Sequence, residues 1–112
     1  MSKNILKFHH PIFLNGLNMT IRRGTKWDGN LGLIWAETDT GTYIGPANVK
    51  FTQVMKFDEI EAHIHNFNHD PDCRTRKGIF KELCELYEAF DVKEIVTLVW
   101  FEMLEVSGEG RD

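Results

Sequence analysis

The sequence contains few cysteines and no long apolar run. Its two cysteines are Cys73 and Cys84, and in a reducing compartment such a pair is expected to remain as free thiols. No stretch approaches the roughly 18 apolar residues of a membrane span, and the N-terminal residues lack the apolar core of a signal peptide. We therefore expect a cytoplasmic protein without a membrane-spanning segment.

Motifs for phosphate loops and for zinc are also missing. Gly24-Thr25-Lys26 does not have the spacing of a P-loop. A His-x-His pair is followed by further potential ligands, but the spacing of the group fits no common zinc signature. Its members are His63, His65, His69, Asp70, Asp72 and Cys73. We expect residues 66–72 to form a solvated loop, with no zinc bound by His63, His65, His69 or Cys73, and no cofactor.

The apolar content is sufficient for one folded domain. Hydrophobic residues make up 42% and aromatic residues 12% of the 112 residues. A chain of this length buries about two-thirds of its unfolded surface when it folds, and the length favours a single domain. We assign that domain to residues 1–106 and treat the polar residues 107–112 as a flexible tail.

The net charge of −4 is unevenly distributed along the chain. Residues 1–56 carry seven Lys/Arg and three acidic residues, a net charge of +4, whereas residues 57–112 carry six and fourteen, a net charge of −8. Binding of nucleic acid by charge alone needs many phosphate contacts, and this balance argues against it. A small basic face on the N-terminal half remains compatible with the pattern.

Alternation of apolar and polar residues predicts a sheet. Met19–Arg23 alternates clearly, with Thr20 and Arg22 on one face. The Gly45-Pro46 break indicates a bulge or bend, as where a sheet curls into a barrel. The long stretch after it is expected to carry Val49, Phe51, Gln53, Met55 and Phe57 on one face. The predicted strands are Ile5–Phe8, Met19–Arg23, Leu31–Glu37, Thr42–Phe57 with its break, and Ile95–Leu104.

Helical periodicity is concentrated in the second half of the chain. Arg76–Phe90 is the predicted long helix, with shorter helical segments at Ile12–Leu17 and Asp58–Ile64. The apolar face of the long helix is expected to carry Ile79, Phe80, Leu83, Cys84, Tyr87 and Phe90. This order of elements favours the α+β class, with a mainly antiparallel β-barrel and helices packed at the barrel opening.

The candidate ligand site lies on the second strand and the loop after it. Thr20 and Arg22 would project a hydroxyl and a guanidinium from one face, and the arginine fork suits a phosphate or the acceptor edge of a base. The loop adds positive charge and a stacking surface, a combination used to recognise single-stranded RNA. The candidate ligand-binding residues are Asn18, Thr20, Arg22, Arg23, Lys26 and Trp27. The structural alternatives are an ion pair of Arg22 with an acid of the second half, and Trp27 closing a barrel end.

Four segments together resemble the ASCH domain family. Phe13–Arg22 (FLNGLNMTIR) is similar to the opening of the family, where a short helix ends in glycine before a strand that carries Thr-Ile-Arg. Val49–Ile60 has the cadence of a later strand, Leu83–Tyr87 has the Leu-x-x-x-Tyr pattern of the helix, and Glu94–Phe101 (EIVTLVWF) is similar to the last strand. The resemblance extends from Ile5 to Glu102.

The resemblance implies a PUA-like β-barrel with a cleft between barrel and helices, and RNA or a modified nucleoside as the ligand. Some members of the family hydrolyse the amide of N-acetylated cytidine, using a Lys, a Thr and a Glu, and others cleave RNA. Thr20 matches the catalytic Thr, but the corresponding stretches 17–19 and 65–70 contain neither Lys nor Glu. We therefore expect a binding module. The alternatives are a hydrolase of either kind and an interaction module whose acidic second half meets a basic partner.

Overall fold

The structure is a computed structural model and describes residues 5–9 and 12–104. Each of the five predicted strands is present, with bounds shifted by no more than a few residues. The strands are β1 (Ile5–Phe8), β2 (Leu17–Arg23), β3 (Gly32–Thr38), β4 (Tyr43–Lys56) and β5 (Ile95–Met103). The helices are α1 (Arg76–Leu86) and three 3₁₀ helices at Phe57–Glu59, Ala62–Phe67 and Pro71–Cys73. The tail predicted at 107–112 lies outside the described residues.

The strands form one curled sheet of the α+β class. Their order is β1-β3-β4-β5-β2, with β1 parallel to β3 and the other three pairs antiparallel. The prediction of a mainly antiparallel sheet is therefore confirmed. The sheet does not close into a full barrel within the described residues, because β1 and β2 are its two edges and do not pair with each other. The architecture is a half-barrel.

The pairing of β4 contains two irregularities, one with β3 and one with β5. The first is a register shift opposite Ala36 and Glu37, whose partners are Gly45 and Tyr43, next to the predicted Gly-Pro bend. The second lies between Val49 and Phe51. It places these two side chains on opposite faces of the sheet, so the prediction that they share a face is wrong. An extra residue in a strand shifts the alternation by one and reverses every later side chain.

Two groups of buried apolar side chains lie on the two faces of the sheet. The strand cluster consists of Leu6, Phe8, Ile34, Ala36, Ala47, Val49, Val99 and Phe101. The helix cluster joins the other face to the helices and consists of Met19, Ile21, Phe57, Ile60, Cys73, Ile79, Leu83, Phe90, Val96, Leu98 and Trp100. Strand β5 contributes to both clusters, which explains its near-continuous apolar sequence.

Helix α1 is shorter than the sequence predicts. Thr75 caps its first turn by accepting a hydrogen bond from the Gly78 amide at 3.0 Å, and the helix ends before Tyr87, which has extended backbone angles. Cys84 is exposed and Cys73 is buried, so the prediction that Cys84 belongs to the apolar face is wrong. Cys84 follows Leu83 and is turned about 100° from it around the helix axis. Among the described residues, no helix has the length and apolar character needed to cross a bilayer.

Two further predictions fail next to β2. The described part of the predicted helix Ile12–Leu17 is irregular up to Gly16, and β2 already begins at Leu17. The predicted solvated loop is not solvated throughout, because Asn68, His69 and Asp70 are buried. Asn68 forms a parallel bridge with Met19. This segment therefore covers the free edge of β2, a contact between distant parts of the chain that local polarity cannot indicate.

We expect Gly78→Ala to destabilise the protein, although alanine normally stabilises a helix by up to about 1 kcal/mol relative to glycine. A Cβ atom at Gly78 would collide with the backbone carbonyl oxygen of Asp72. The expected loss in the free energy of unfolding is about 1–3 kcal/mol, typical of overpacking, measured by urea denaturation. The exposed residue Lys77 offers a control, since Lys77→Ala should change little. An equal or higher stability of Gly78→Ala would contradict the observed packing of α1 on the 3₁₀ helix Pro71–Cys73.

We expect acid to destabilise the protein in part through His65. This residue is 0% exposed, and neither ring nitrogen has a hydrogen-bond partner among the described residues. Burial, and then the charge of Arg76, lower the pKa of His65 from its ordinary value of 6.5. As the pH decreases, the unfolded chain therefore takes up the proton at a higher pH than the folded protein does. The contribution of neutral His65 to the free energy of unfolding is fully present above about pH 6.5 and is lost progressively below it.

His65→Leu should lose less stability than the parent between about pH 8 and pH 5, measured as the shift in urea midpoint. Some dependence will remain, because burial also lowers the pKa of His69, to about 4. Leu also removes two unpaired polar atoms, each of which costs about 1–3 kcal/mol when buried, so stability at neutral pH should not decrease. His63→Leu, at an exposed position, is the control. The same acid dependence in His65→Leu and the parent would exclude this role.

Candidate functional site

A cavity of about 50 Å³ lies where the two edges of the sheet approach each other. Strands β1 and β2 form two of its walls, and α1 and the segment 68–73 form the others. Its polar and charged lining residues are Lys7, His9, Thr20, Arg22, Asn68, His69, Asp70, Cys73, Glu82 and Tyr87. A space of this size admits a few water molecules or one functional group of a larger ligand.

Arg22 connects the two edge strands across this cavity. Its Nη2 donates a hydrogen bond to the Lys7 carbonyl oxygen at 2.7 Å, and the guanidinium carbon lies 5.2 Å from the centre of the Phe8 ring. Burial lowers the pKa of Arg22 to about 10, so the side chain remains a cation at neutral pH. Its Nε is buried and has no hydrogen-bond partner in the described part of the chain.

Asn68 and His69 enter the cavity because their backbone is held against β2 and against the segment before it. The His69 amide donates to the Met19 carbonyl oxygen at 3.2 Å, and the His69 carbonyl accepts from the Ile12 amide at 3.0 Å. The His69 ring contacts the Phe8 ring at 4.7 Å between centroids. Burial, and then the charge of Arg22, lower the pKa of His69 to about 4, so its imidazole is neutral at pH 7.

Three buried nitrogen atoms of cavity-lining residues have no partner among the described residues. They are Arg22 Nε, Asn68 Nδ2 and His69 Nδ1. More than nine-tenths of buried polar groups in native proteins are hydrogen-bonded, and an unpaired one costs about 1–3 kcal/mol. Arg22 and Asn68 can only donate through these atoms, whereas His69 Nδ1 can donate or accept according to its tautomer. The cavity is therefore suited to a group that carries hydrogen-bond acceptors.

A second polar group in the same cavity is acidic. The side-chain ligand atoms of Asp70, Cys73 and Glu82 all lie within 4.8 Å of one another. Burial, followed by the charges of Asp70 and Glu82, raises the pKa of the Cys73 thiol to about 12. Cys73 is therefore protonated at neutral pH and is not an activated nucleophile, because the thiolate is the reactive form.

Of the six ligand-binding residues predicted from the sequence, the structure brings two together in the cavity, Thr20 and Arg22. Asn18 shares their strand face, but its side chain holds the preceding segment. Asn18 Oδ1 accepts from the Leu14 amide at 2.6 Å, and Nδ2 donates to the carbonyl oxygens of Leu14 at 3.0 Å and Gly16 at 3.2 Å. The amide group of Asn18 is thus engaged in local structure.

The other three predicted residues do not line this cavity. Arg23 forms two hydrogen bonds with the Glu94 carboxylate, at 2.6 and 2.9 Å, on the opposite side of β2. The ion pair with an acid of the second half, considered for Arg22, is therefore made by its neighbour. Lys26 is exposed. Trp27 packs against the strand cluster, in agreement with the alternative of a structural role for this residue.

Of the ten polar and charged residues that line the cavity, eight were not among the predicted ligand-binding residues, including Asn68, His69, Asp70 and Glu82. Asn68, His69 and Asp70 resemble a turn in sequence, and their burial depends on the long-range contact with β2. Glu82 did carry a usable signal. It lies between Ile79 and Leu86 on the stripe that also contains Leu83, and an acid within an apolar helical stripe indicates a polar contact inside the fold.

Comparison of the chain with protein-family models, with curated proteins and with solved structures gives no match.

We expect Asn18→Ala to reduce stability without abolishing ligand binding by the folded protein. The substitution leaves the Leu14 amide and carbonyl without the partner they now have, at a cost of about 1–3 kcal/mol. Asn15→Ala, at an exposed position in the same segment, is the control and should have little effect. Thermal unfolding measures the first quantity and ligand titration the second. If Asn18→Ala left the stability unchanged and abolished ligand binding, Asn18 would be a ligand-binding residue, as the sequence predicted.

Proposed function

We propose that the protein is a binding module for RNA or a modified nucleoside, of the PUA-like type found in ASCH domains. The observation that carries the proposal is that three residues lining one cavity with Thr20 each have a buried nitrogen atom without a partner among the described residues. The half-barrel and the position of the cavity between sheet and helix are compatible with the cleft that the sequence resemblance implies. The proposal concerns the cavity only, since Lys26 and Trp27 lie outside it.

The chemistry of the cavity favours an acceptor-rich ligand group. A half-buried guanidinium is well suited to carbonyl oxygens, ring nitrogens or phosphate oxygens, and it forms stronger hydrogen bonds than a neutral donor does. The amide of Asn68 can donate to the same group. The volume of about 50 Å³ is far below the roughly 300 Å³ of a pocket that encloses a small molecule. The edge of a base or one phosphate is therefore expected to enter, with the remainder of the ligand outside.

One observation favours hydrolysis as a second function. Thr20 lines the same cavity as Asp70 and Glu82, so a residue with a hydroxyl nucleophile and residues with candidate proton acceptors occur together. Lys7 does not supply the family's lysine in the present arrangement, because its ammonium lies 3.4 Å from the Glu37 carboxylate. Incubation with N-acetylated cytidine and with short RNA, followed by chromatography, tests both hydrolase alternatives. Turnover that disappears in Thr20→Val would replace the binding function by catalysis.

The decisive variant for binding is Arg22→Ala, compared with Arg22→Lys and Arg23→Ala. Loss of charge-assisted hydrogen bonds worth about 1.5–3 kcal/mol predicts a ten- to hundredfold weaker affinity for a nucleoside panel or short RNA, measured by calorimetric titration. Arg22→Lys should recover only part of it, since an ammonium cannot reproduce the fork geometry. Arg23→Ala removes the same charge from the other face of β2 and should retain most of the affinity.

Stability has to be measured on the same variants, because Arg22 also donates to Lys7 across the two edges. A lower melting temperature of Arg22→Ala with unchanged affinity of the folded protein would make Arg22 purely structural. Equal losses in Arg22→Ala and Arg23→Ala would indicate binding by surface charge, outside the cavity. No binding of any panel member by the parent protein would contradict the proposed function itself.

A further inference from the structure

Asp70, Cys73 and Glu82 are brought together from two different elements. Asp70 and Cys73 belong to the turn around the 3₁₀ helix Pro71–Cys73, and Glu82 lies on α1. The turn is fixed internally by the Asp72 amide, which donates to Asp70 Oδ1 at 2.9 Å. The helix approaches it closely because position 78 is glycine. The three ligand atoms, two carboxylate oxygens and one sulfur, lie within 4.8 Å of one another.

The charges of this group are not balanced by Arg22. Among the described residues, no ion pair joins Arg22 to Asp70 or to Glu82, and the nearest basic group to these carboxylates is His9, at 4.0 Å from Glu82. Two acidic groups and a thiol thus share a mostly buried site. Buried carboxylates are normally paired with a cation or coordinate a metal ion.

An independent observation at the same cavity points to a ligand. His69 is 8% exposed, lines the cavity beside Asp70 and Cys73, and its Nδ1 has no hydrogen-bond partner among the described residues. A neutral imidazole is a common metal donor. On the other side, His9 Nε2 lies 4.0 Å from a carboxylate oxygen of Glu82. A buried nitrogen donor without a partner among the described residues therefore lines the same cavity as the group of two oxygens and one sulfur.

We infer that Asp70, Cys73 and Glu82 form a binding site for a divalent transition-metal ion of the zinc type. Sulfur, nitrogen and carboxylate oxygen are the zinc ligands of proteins, whereas Mg²⁺ and Ca²⁺ select oxygen donors alone. On coordination the thiol releases its proton to solvent and the sulfur–metal bond forms. A water molecule would complete a four-coordinate ion.

This inference reverses one expectation from the sequence, that Cys73 binds no zinc. Sequence spacing within residues 63–73 could not include Glu82, which lies on the next element. The two histidines of the His-x-His pair have no part in the proposed site. His63 is exposed and lies 3.6 Å from Glu61, and His65 is buried beside Phe57.

The test is a titration of the purified, reduced protein with Co²⁺ and Zn²⁺. Cobalt bound to a thiolate gives a charge-transfer absorption in the near ultraviolet, and equilibrium dialysis gives the stoichiometry. We expect one ion per chain, the absorption band, and competition by Zn²⁺. Cys73→Ser should abolish the band, and Glu82→Gln should weaken binding at least about tenfold, since a charged ligand is lost. Cys84→Ser and Glu85→Gln, both at exposed positions, are the matched controls and should bind as the parent does.

Absence of the thiolate band, or binding that survives both Cys73→Ser and Glu82→Gln, would overturn the site. So would loss of the band in Cys84→Ser. If Cys73→Ser does not fold, Glu82→Gln decides alone, and unchanged affinity there would refute the proposal. The two proposals are separated by repeating the RNA and nucleoside titrations with and without a chelator. In the presence of the chelator no metal is bound, so the Arg22 variants then test RNA or nucleoside binding alone.

Discussion

The contact that the rest of the structure depends on is the bridge from Arg22 to β1. The two strands at the edges of the sheet, β1 and β2, do not pair, and the hydrogen bond from Arg22 Nη2 to the Lys7 carbonyl at 2.7 Å joins them instead. The guanidinium also covers the ring of Phe8, a member of the strand cluster. A long cationic side chain thus takes the place of strand pairing, and the space beside it becomes the cavity.

A charge at this position determines the chemistry of its neighbours. Arg22 and burial together keep His69 neutral, because protonation of the imidazole would place a second cation beside the first. Three residues around this cavity each have a buried nitrogen atom without a partner among the described residues, although each such atom lowers the stability of the folded state. Natural proteins retain such local conflicts at functional sites, where the cost is offset elsewhere in the fold. Here the two apolar clusters on either side of β5 supply that stability.

The sequence predicted the parts of the fold that depend on local patterns. The five strands, the start of α1 and the bend near Gly45 follow from alternation, helical periodicity and turn residues. The prediction of a helix before β2 is wrong. The buried side chain of Asn18 forms the hydrogen bonds with the Leu14 amide and carbonyl that a helix would otherwise have provided. The bulge between Val49 and Phe51 has no glycine or proline to mark it.

The candidate site was only half predictable, for a related reason. Thr20 and Arg22 are placed by the period of a single strand. Asn68 and His69 reach the cavity because the segment that carries them pairs with the edge of β2, and no local pattern specifies which distant strand a polar turn will cover. The segment resembles a solvated loop in sequence because it contains as many polar residues as a turn does. A buried polar segment differs from a solvated loop only in the groups to which its polar atoms bond.

The separation of charge within the cavity is the feature that connects the two proposals. Arg22 with Asn68 forms a donor group, and Asp70 with Glu82 forms an acidic group, yet no ion pair joins them among the described residues. Direct pairing would lower the energy of the protein, since opposite charges compensate each other's desolvation. Because the fold holds them apart, each remains available to a partner from solution. An acceptor group for the arginine and a cation for the carboxylates are the partners that the two proposals assign to this arrangement.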